Sequence, residues 1–281
     1  MNVLKKTVFI LALCLTLTSY AWNALGHKLV MQIAYSQLTP HAKRIFNHYN
    51  RALNKDYKTN SLVSAAVWLD TLYYRKINWF NTLHYENLFF TEDDSMLPMA
   101  VGHGALWGID EATEVLSRSQ STDLEKGLAL RILLHVVADI HQPLHAASRI
   151  SHRYPTGDRG GNLVRLGKNI VAANLHAYWD RGGGWLLLKE KLSHKKRIQW
   201  ANEVKQKYPC HQEEKITDFY KWSQESHKLA VAVAYKLQEG ELPSKSYQQL
   251  VQHTSEQRIA LAGCRLGYLL NYIDERLTTR L

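Results

Sequence analysis

Long apolar runs are almost absent from this chain. The one candidate, Val8 to Leu17, is too short to cross a bilayer as a permanent helix. Lys5 and Lys6 precede it and Ser19-Tyr20-Ala21 follows, the basic, apolar and small-residue pattern of a secretory signal. Residues 1–21 are therefore expected to be removed. Residues 22–281 would then be an exported protein, periplasmic or extracellular, with no stable membrane association. Leu13 stands where a lipoprotein signal ahead of Cys14 needs a small residue, which argues against an acyl anchor.

Cysteine is scarce as well, three in 281 residues, and Cys14 leaves with the signal. Cys210 and Cys264 remain, in a compartment that permits disulfides. A bridge between them is expected, with two unpaired thiols the alternative that spacing leaves open; the bridge would contribute about 4 kcal/mol on the chain-entropy model. Acids are outnumbered, 25 against 35 Lys and Arg, a formal net charge of +10. Without the two leader lysines the balance is +8, which favours polyanionic partners, nucleic acid or an acidic membrane surface. No internal repeat, low-complexity tract or linker divides the chain. One core is enough for a protein of this length, and a monomer is the simplest state.

Strand signals are also weak. Leu163-Val-Arg-Leu and Ile170-Val-Ala-Ala, joined through Gly167-Lys-Asn, could form one small hairpin. Helical spacing dominates elsewhere. Leu29, Ile33 and Leu38 precede Pro40; Ile45, Tyr49 and Leu53 continue on a second segment; Leu62 to Tyr73 reads as a third helix. Ala105 to Leu116 and Leu124 to Ile140 follow, and Phe219 to Leu237 and Tyr247 to Leu277 carry long amphipathic patterns of bundle helices. Ser151 to Asn162, with Pro155, Gly157, Gly160 and Gly161, is a loop. The pattern is that of an all-α protein with a single helical domain.

What is present is a set of histidines and aspartates at helical spacing. In His135-Val-Val-Ala-Asp139-Ile-His-Gln-Pro-Leu-His145 and in His176-Ala-Tyr-Trp-Asp180, each His–Asp pair is four apart and projects from one helix face. Imidazole and carboxylate without thiolate suit zinc in a catalytic setting. Two such pairs plus His145 exceed what one tetrahedral ion needs. Upstream stand Trp22-Asn-Ala-Leu-Gly-His27, Asp70 at the end of Ala66-Val-Trp-Leu-Asp70, and His84 in Leu83-His-Tyr-Glu-Asn87. Taken singly, a His or Asp on a helix is more often structural. His41, His103, His141 and His227 are assigned to surface or packing roles.

Together these motifs resemble the zinc-dependent single-strand nuclease family of fungi, plants and bacteria (type I nucleases and 3′-nucleotidases, the nuclease S-one/P-one type). The resemblance covers essentially all of residues 22–281. It implies an α-helical fold holding three zinc ions, with the mature amino terminus as a ligand. One zinc would take Asp70, His84, His135 and Asp139. A second would take the α-amino nitrogen and carbonyl oxygen of Trp22, with His27, and share Asp139. The third would take His145, His176 and Asp180. The chemistry agrees: an amine and its own carbonyl close a five-membered chelate, and an α-amine titrates near neutrality, about pKa 7.7–8.

The resemblance further implies Asp70 as the group orienting the attacking water, with Asp139 as the bridge. It implies single-stranded DNA or RNA and 3′-nucleotides as substrates, and 5′-phosphate products. Tyr85 stands where the family places an aromatic ring against a base. Asn87 stands where fungal members carry an acidic residue, and Gly160-Gly-Asn162 is similar to a family loop lining the cleft. Arg181 follows Asp180 where some fungal members use an asparagine on the phosphate.

Two other readings share these residues. Zinc-dependent phospholipases C use the same amino-terminal Trp and three-zinc set, but no appended lipid-binding segment or exposed aromatic-rich loop stands out here. A non-catalytic zinc store or nucleic-acid-binding protein is opposed by the presence of the whole ligand set, since a purely structural zinc site prefers four closed ligands rich in cysteine.

Overall fold

A computed structural model describes residues 22–99, 102–187, 192–211 and 218–279; the expected signal over residues 1–21 lies outside them. Helices dominate: α1 (Ala24–Gln37), α2 (Pro40–Ala52), α3 (Leu62–Ala65), α4 (Trp68–Tyr74), α5 (Ala105–Ser117), α6 (Asp123–Asp139), α7 (Leu175–Asp180), α8 (His194–Lys207), α9 (Phe219–Ala232) and α10 (Lys245–Thr278). Among the described residues no helix is long and apolar enough to cross a membrane.

The central element is α6. A capping box starts it, the Thr122 side chain accepting from Glu125 N while Glu125 accepts from Thr122 N. From Ala129 to Asp139 every residue is buried, and the helix packs against α2, α5, α4, α1 and α10. Arg131 is the one cation in that stretch. Its guanidinium donates to the Asn50 carbonyl and side chain, Asn54 Oδ1, Thr59 Oγ1 and the Tyr57 carbonyl, and lies over Trp68. A buried charge needs that degree of satisfaction. Burial lowers its pKa to about 10, which still leaves it charged.

Two sequence expectations are corrected. The third helix is not continuous: α3 ends at Ala65 and α4 begins at Trp68. The break turns the Ala66 carbonyl out to His135 Nδ1 at 2.7 Å. The hairpin over 163–173 is not formed either. That segment has one antiparallel bridge, Arg165 with Asn174. The Asn169 side chain accepts from Val171 N and Ala172 N and donates to the carbonyls of Gly167 and Ala172, and the Arg165 and Gly167 backbones pair with Gly240 and Glu241. The strands lie elsewhere: β1 (Phe89–Thr91) pairs in parallel with β2 (Ser148–Ile150). The late amphipathic segment also ends early, α9 stopping at Ala232 before a separate turn over Ala234–Lys236. Helix α8, capped by Ser193, was not anticipated.

Cys210 and Cys264 form a disulfide with Cα atoms 5.5 Å apart, joining the segment after α8 to α10. Helices α1 and α10 pack closely against each other. At Gly263 an added Cβ would stand 2.6 Å from Ile33 Cβ and 3.0 Å from the Val30 carbonyl oxygen. Gly263→Ala should therefore force the helices apart and cost about 1–3 kcal/mol. The check is a lower urea midpoint with an unchanged m-value; wild-type stability would contradict the close approach.

Candidate metal centre

The last turn of α6 places His135 and Asp139 side by side in the interior, both fully buried. The Ala66 carbonyl can only accept, so His135 Nδ1 donates to it and Nε2 is the nitrogen that faces inward. Nε2 lies 3.3 Å from Asp139 Oδ2, 3.4 Å from Asp70 Oδ1 and 3.1 Å from His84 Nδ1. Asp70 arrives on α4, just past the break, and His84 closes a tight turn over Asn81–His84. His84 Nδ1 is 3.0 Å from Asp139 Oδ2 and 3.9 Å from Asp70 Oδ1.

On the opposite side of Asp139, His27 from α1 brings Nε2 to 3.2 Å from Oδ1. Its ring stacks flat on His135, with centroids 4.0 Å apart. The two oxygens of Asp139 are thus divided, Oδ1 toward His27 and Oδ2 toward His84 and His135.

A second group forms where the chain after α6 meets α7. His145 Nε2 and His176 Nε2 face each other at 3.0 Å, and Asp180 Oδ1 lies 3.9 Å and 3.5 Å from them. His145 Nδ1 donates to the His84 carbonyl and His176 Nδ1 to the Gly160 carbonyl. Both Nε2 atoms therefore present lone pairs to each other, an arrangement that repels itself unless a cation lies between. Trp22 is fully buried at the head of α1, and Asn23 N donates to the Asp180 carbonyl at 3.0 Å. The start of α1 is thereby tied to this group. Gly26 leaves room for the Trp22 side chain, since a Cβ there would stand 2.5 Å from Trp22 Cβ.

The donor set fits divalent cations. Three buried or half-buried His/Asp groups have ligand atoms close enough to hold metal: His27, His135 and Asp139; Asp70, His84 and His135; His145, His176 and Asp180. Zinc ligands about 2.0–2.1 Å from a tetrahedral ion stand roughly 3.3 Å from one another, close to the spacings found here. Both His27 ring nitrogens, Asp70 Oδ1 and Asp139 Oδ1 are buried without hydrogen-bond partners, which protein interiors rarely tolerate.

Protonation follows the same geometry. Burial lowers the pKa of His27, His145 and His176, and for His176 the His145 ring adds to it. Neutral imidazole is the form that ligates. For His135 burial acts downward, but the carboxylates of Asp139 and Asp70 outweigh it and hold the ring well above the ordinary range. Asp139 is held well below the carboxylate range, its burial outweighed by His135 and His27. Asp180 is pushed well above it by burial, with Asp139 and Asp70 adding to the effect against Gln142.

Three positioning groups had no distinctive signal in the sequence. Gln142 Nε2 donates to Asp180 Oδ1 at 2.6 Å. The Ala66 carbonyl orients His135. Asp158, fully buried, accepts from Arg149 N, Gly161 N and the Tyr235 hydroxyl, shaping the loop whose Gly160 carbonyl holds His176. A Gly160 Cβ would stand 2.3 Å from the Leu144 carbonyl oxygen, at a φ of +62°, so that position needs glycine.

Tyr85 lies at the surface, 38% exposed, rather than in the core, while its carbonyl accepts from Ala105 N and Glu86 N donates to the His145 carbonyl. Asn87 is half-buried. Asn162 is also half-buried, its Nδ2 on the Arg159 carbonyl and its Oδ1 enclosed without a partner. The Arg181 guanidinium donates to the Val171 carbonyl. The packing histidines behave as anticipated: His41 pairs with Asp274, His141 is buried between the Val137 carbonyl and Arg265, and His227 donates to the Ala146 carbonyl.

Comparison with known proteins agrees with this geometry. The model of the S1/P1 nuclease family matches residues 22–275. The chain is 27% identical to Endonuclease 1 of Arabidopsis thaliana over 94% of this chain and 90% of that protein. It is 26% identical to Nuclease P1 of Penicillium citrinum over 90% of this chain and 97% of that protein. With Nuclease S1 of Aspergillus oryzae the identity is 26%, over 60% of this chain and 56% of the relative. The family match starts at Trp22 and takes in every histidine and aspartate of the centre, so this chain belongs to the S1/P1 nuclease family.

Proposed function

We propose that this protein is an exported zinc-dependent phosphodiesterase. It would cut single-stranded DNA and RNA internally to 5′-phosphate products and remove the 3′-phosphate of nucleotides. The observation that carries the reading is the divided carboxylate of Asp139, with imidazoles on both of its oxygens beside the separate His145–His176–Asp180 group. Asp70, His84, His135 and Asp139 would hold one ion; the Trp22 amine and carbonyl, His27 and the shared Asp139 a second; His145, His176 and Asp180 the third. Zinc at these positions supplies Lewis-acid stabilisation of the charge that builds on a phosphodiester under attack.

The side chains set the geometry of that attack. Asp70 Oδ1, which has no hydrogen-bond partner, would orient the attacking water. Tyr85 would stack on a base and hold its nucleotide against the centre, while Asn87 and Asn162 would contact the substrate from the same cleft. Stacking is available only to a base free of its neighbours, which selects single strands. The paired cysteines support export, since disulfides persist in oxidising compartments. The deciding assay is hydrolysis of single-stranded DNA, RNA, 3′-AMP and phosphatidylcholine in parallel, with and without zinc. Activity on phosphatidylcholine alone would replace this reading with a phospholipase.

Elemental analysis of the active protein should give about three zinc ions per chain, the number the three ligand groups allow. Mild acid with a chelator should strip them by protonating the ligands. Asp139→Asn should be among the most damaging single changes, because it weakens two sites together; full activity with one zinc or fewer would refute the trinuclear assignment.

The terminal ligand makes its own prediction. A tag fused ahead of Trp22 converts the amine to an amide, which must lose its proton to ligate. Such a protein should bind less zinc and turn over slowly, whereas equal activity from tagged and processed protein would remove Trp22 from the ligand set.

For Tyr85, replacement by Ala should weaken single-strand binding by about 1–3 kcal/mol at unchanged zinc content, and Tyr85→Phe should be nearly silent. Wild-type kinetics for Tyr85→Ala, or duplex cleaved as fast as single strands, would refute the stacking role.

A further inference from the structure

Helix α5 begins without a cap of its own. Gly104 stands at the N-cap position with no side chain to offer, and the first turn carries no acid. The leading N–H groups must therefore find acceptors elsewhere. The segment that follows His84 supplies them. The Tyr85 carbonyl accepts from Ala105 N at 3.0 Å, and Glu86 Oε2 accepts from Leu106 N at 3.2 Å. A carboxylate at that end is also what the helix dipole favours.

The fit is close. At Gly104 an added Cβ would stand 2.6 Å from Glu86 Oε2 and 2.8 Å from the Tyr85 carbonyl oxygen. His145 holds the same segment through a second pair of bonds. Its Nδ1 donates to the His84 carbonyl, and its own carbonyl accepts from Glu86 N at 2.7 Å. Tyr85 lies between these anchors in extended backbone, φ −146° and ψ 160°, and is exposed. Of three consecutive residues, His84 turns to the Asp70 and Asp139 carboxylates, Tyr85 meets solvent, and half-buried Glu86 ties the pair to α5.

We propose that Glu86 is a positioning residue for base recognition, clamping its segment to the start of α5 and so setting where the Tyr85 ring stands relative to His84 and His145. The proposal rests on the stacking role of Tyr85 in the nuclease reading above. Two hydrogen bonds to one helix end fix a direction, whereas the Tyr85 carbonyl alone would leave a pivot. Stacking depends on the overlap of two flat faces, so a tilted ring loses hold of the base. The phosphate, handled at the metal ligands, is indifferent to that tilt. Glu86 thus acts on the part of the substrate that carries the base.

The test compares 3′-AMP with the methyl riboside 3-phosphate, which offers no base to stack. Glu86→Ala should raise KM for 3′-AMP several-fold, with kcat and zinc content little changed. On the base-free substrate its kcat/KM should match wild type. Glu86→Gln keeps an acceptor oxygen for Leu106 N and should restore the wild-type KM. Gly104→Ala pushes the carboxylate away and should reproduce the pattern of Glu86→Ala. Combined with Tyr85→Ala, the loss of Glu86 should add nothing. Wild-type kinetics for Glu86→Ala would overturn the proposal. So would an equal loss on the base-free substrate, a loss of zinc, or additive effects in the double variant, each of which makes Glu86 a structural cap. Wild-type kinetics for Tyr85→Ala would overturn it by removing the stacking role itself. If the wild-type protein hydrolyses neither substrate, the nuclease reading falls, and binding of a phosphorothioate oligothymidylate by the same variants decides Glu86.

Discussion

The interior of this protein is organised around a repulsion that it does not relieve with its own atoms. Imidazole lone pairs of His145 and His176 face each other at 3.0 Å. Asp70 Oδ1 and Asp139 Oδ1 are buried without hydrogen-bond partners. In a low-dielectric setting such groups cost several kcal/mol unless compensated, and a cation compensates all of them at once. Folding energy and ion binding are therefore linked here, because the donors converge only when α1, α4, α6 and α7 are assembled.

Much of the surrounding fold serves to hold that convergence. The break between α3 and α4 sacrifices helix continuity and releases the carbonyl that orients His135. The glycine-rich loop and buried Asp158 deliver another carbonyl to His176, and Gln142 steadies Asp180. Backbone carbonyls in three places decide which nitrogen of each ring faces inward, the usual function of outer partners in metal sites. Behind α6, Arg258 and Arg265 share Glu225 and reach the carbonyl and ring of His141, so the turn after Asp139 is fixed from both sides.

The positive charge of the chain acts at two distances. At the centre it would come from ions held by carboxylates and neutral imidazoles. At the surface it comes from lysines and arginines on flexible stems. Short-range donors demand a defined geometry, whereas surface cations act through a field that salt screens over about 10 Å. A polyanion is the kind of ligand that can engage both.

The sequence by itself determined the helical class and the pairing of His135 with Asp139 and His176 with Asp180, because helical periodicity is local and four-residue spacing fixes a common face. It also held the candidate ligands His27, Asp70 and His84, which became a set through their resemblance to a known family rather than through spacing. Only the tertiary structure decided that Cys210 and Cys264 pair, that Arg181 donates to the Val171 carbonyl, that Leu62 to Tyr73 breaks, and that the strands lie at 89–91 and 148–150 instead of in a hairpin. It alone revealed Gln142, Asp158 and the Ala66 carbonyl as positioning groups. Each of these depends on residues far apart in the chain competing for the same donor, acceptor or space, and local sequence carries no record of which competitor wins.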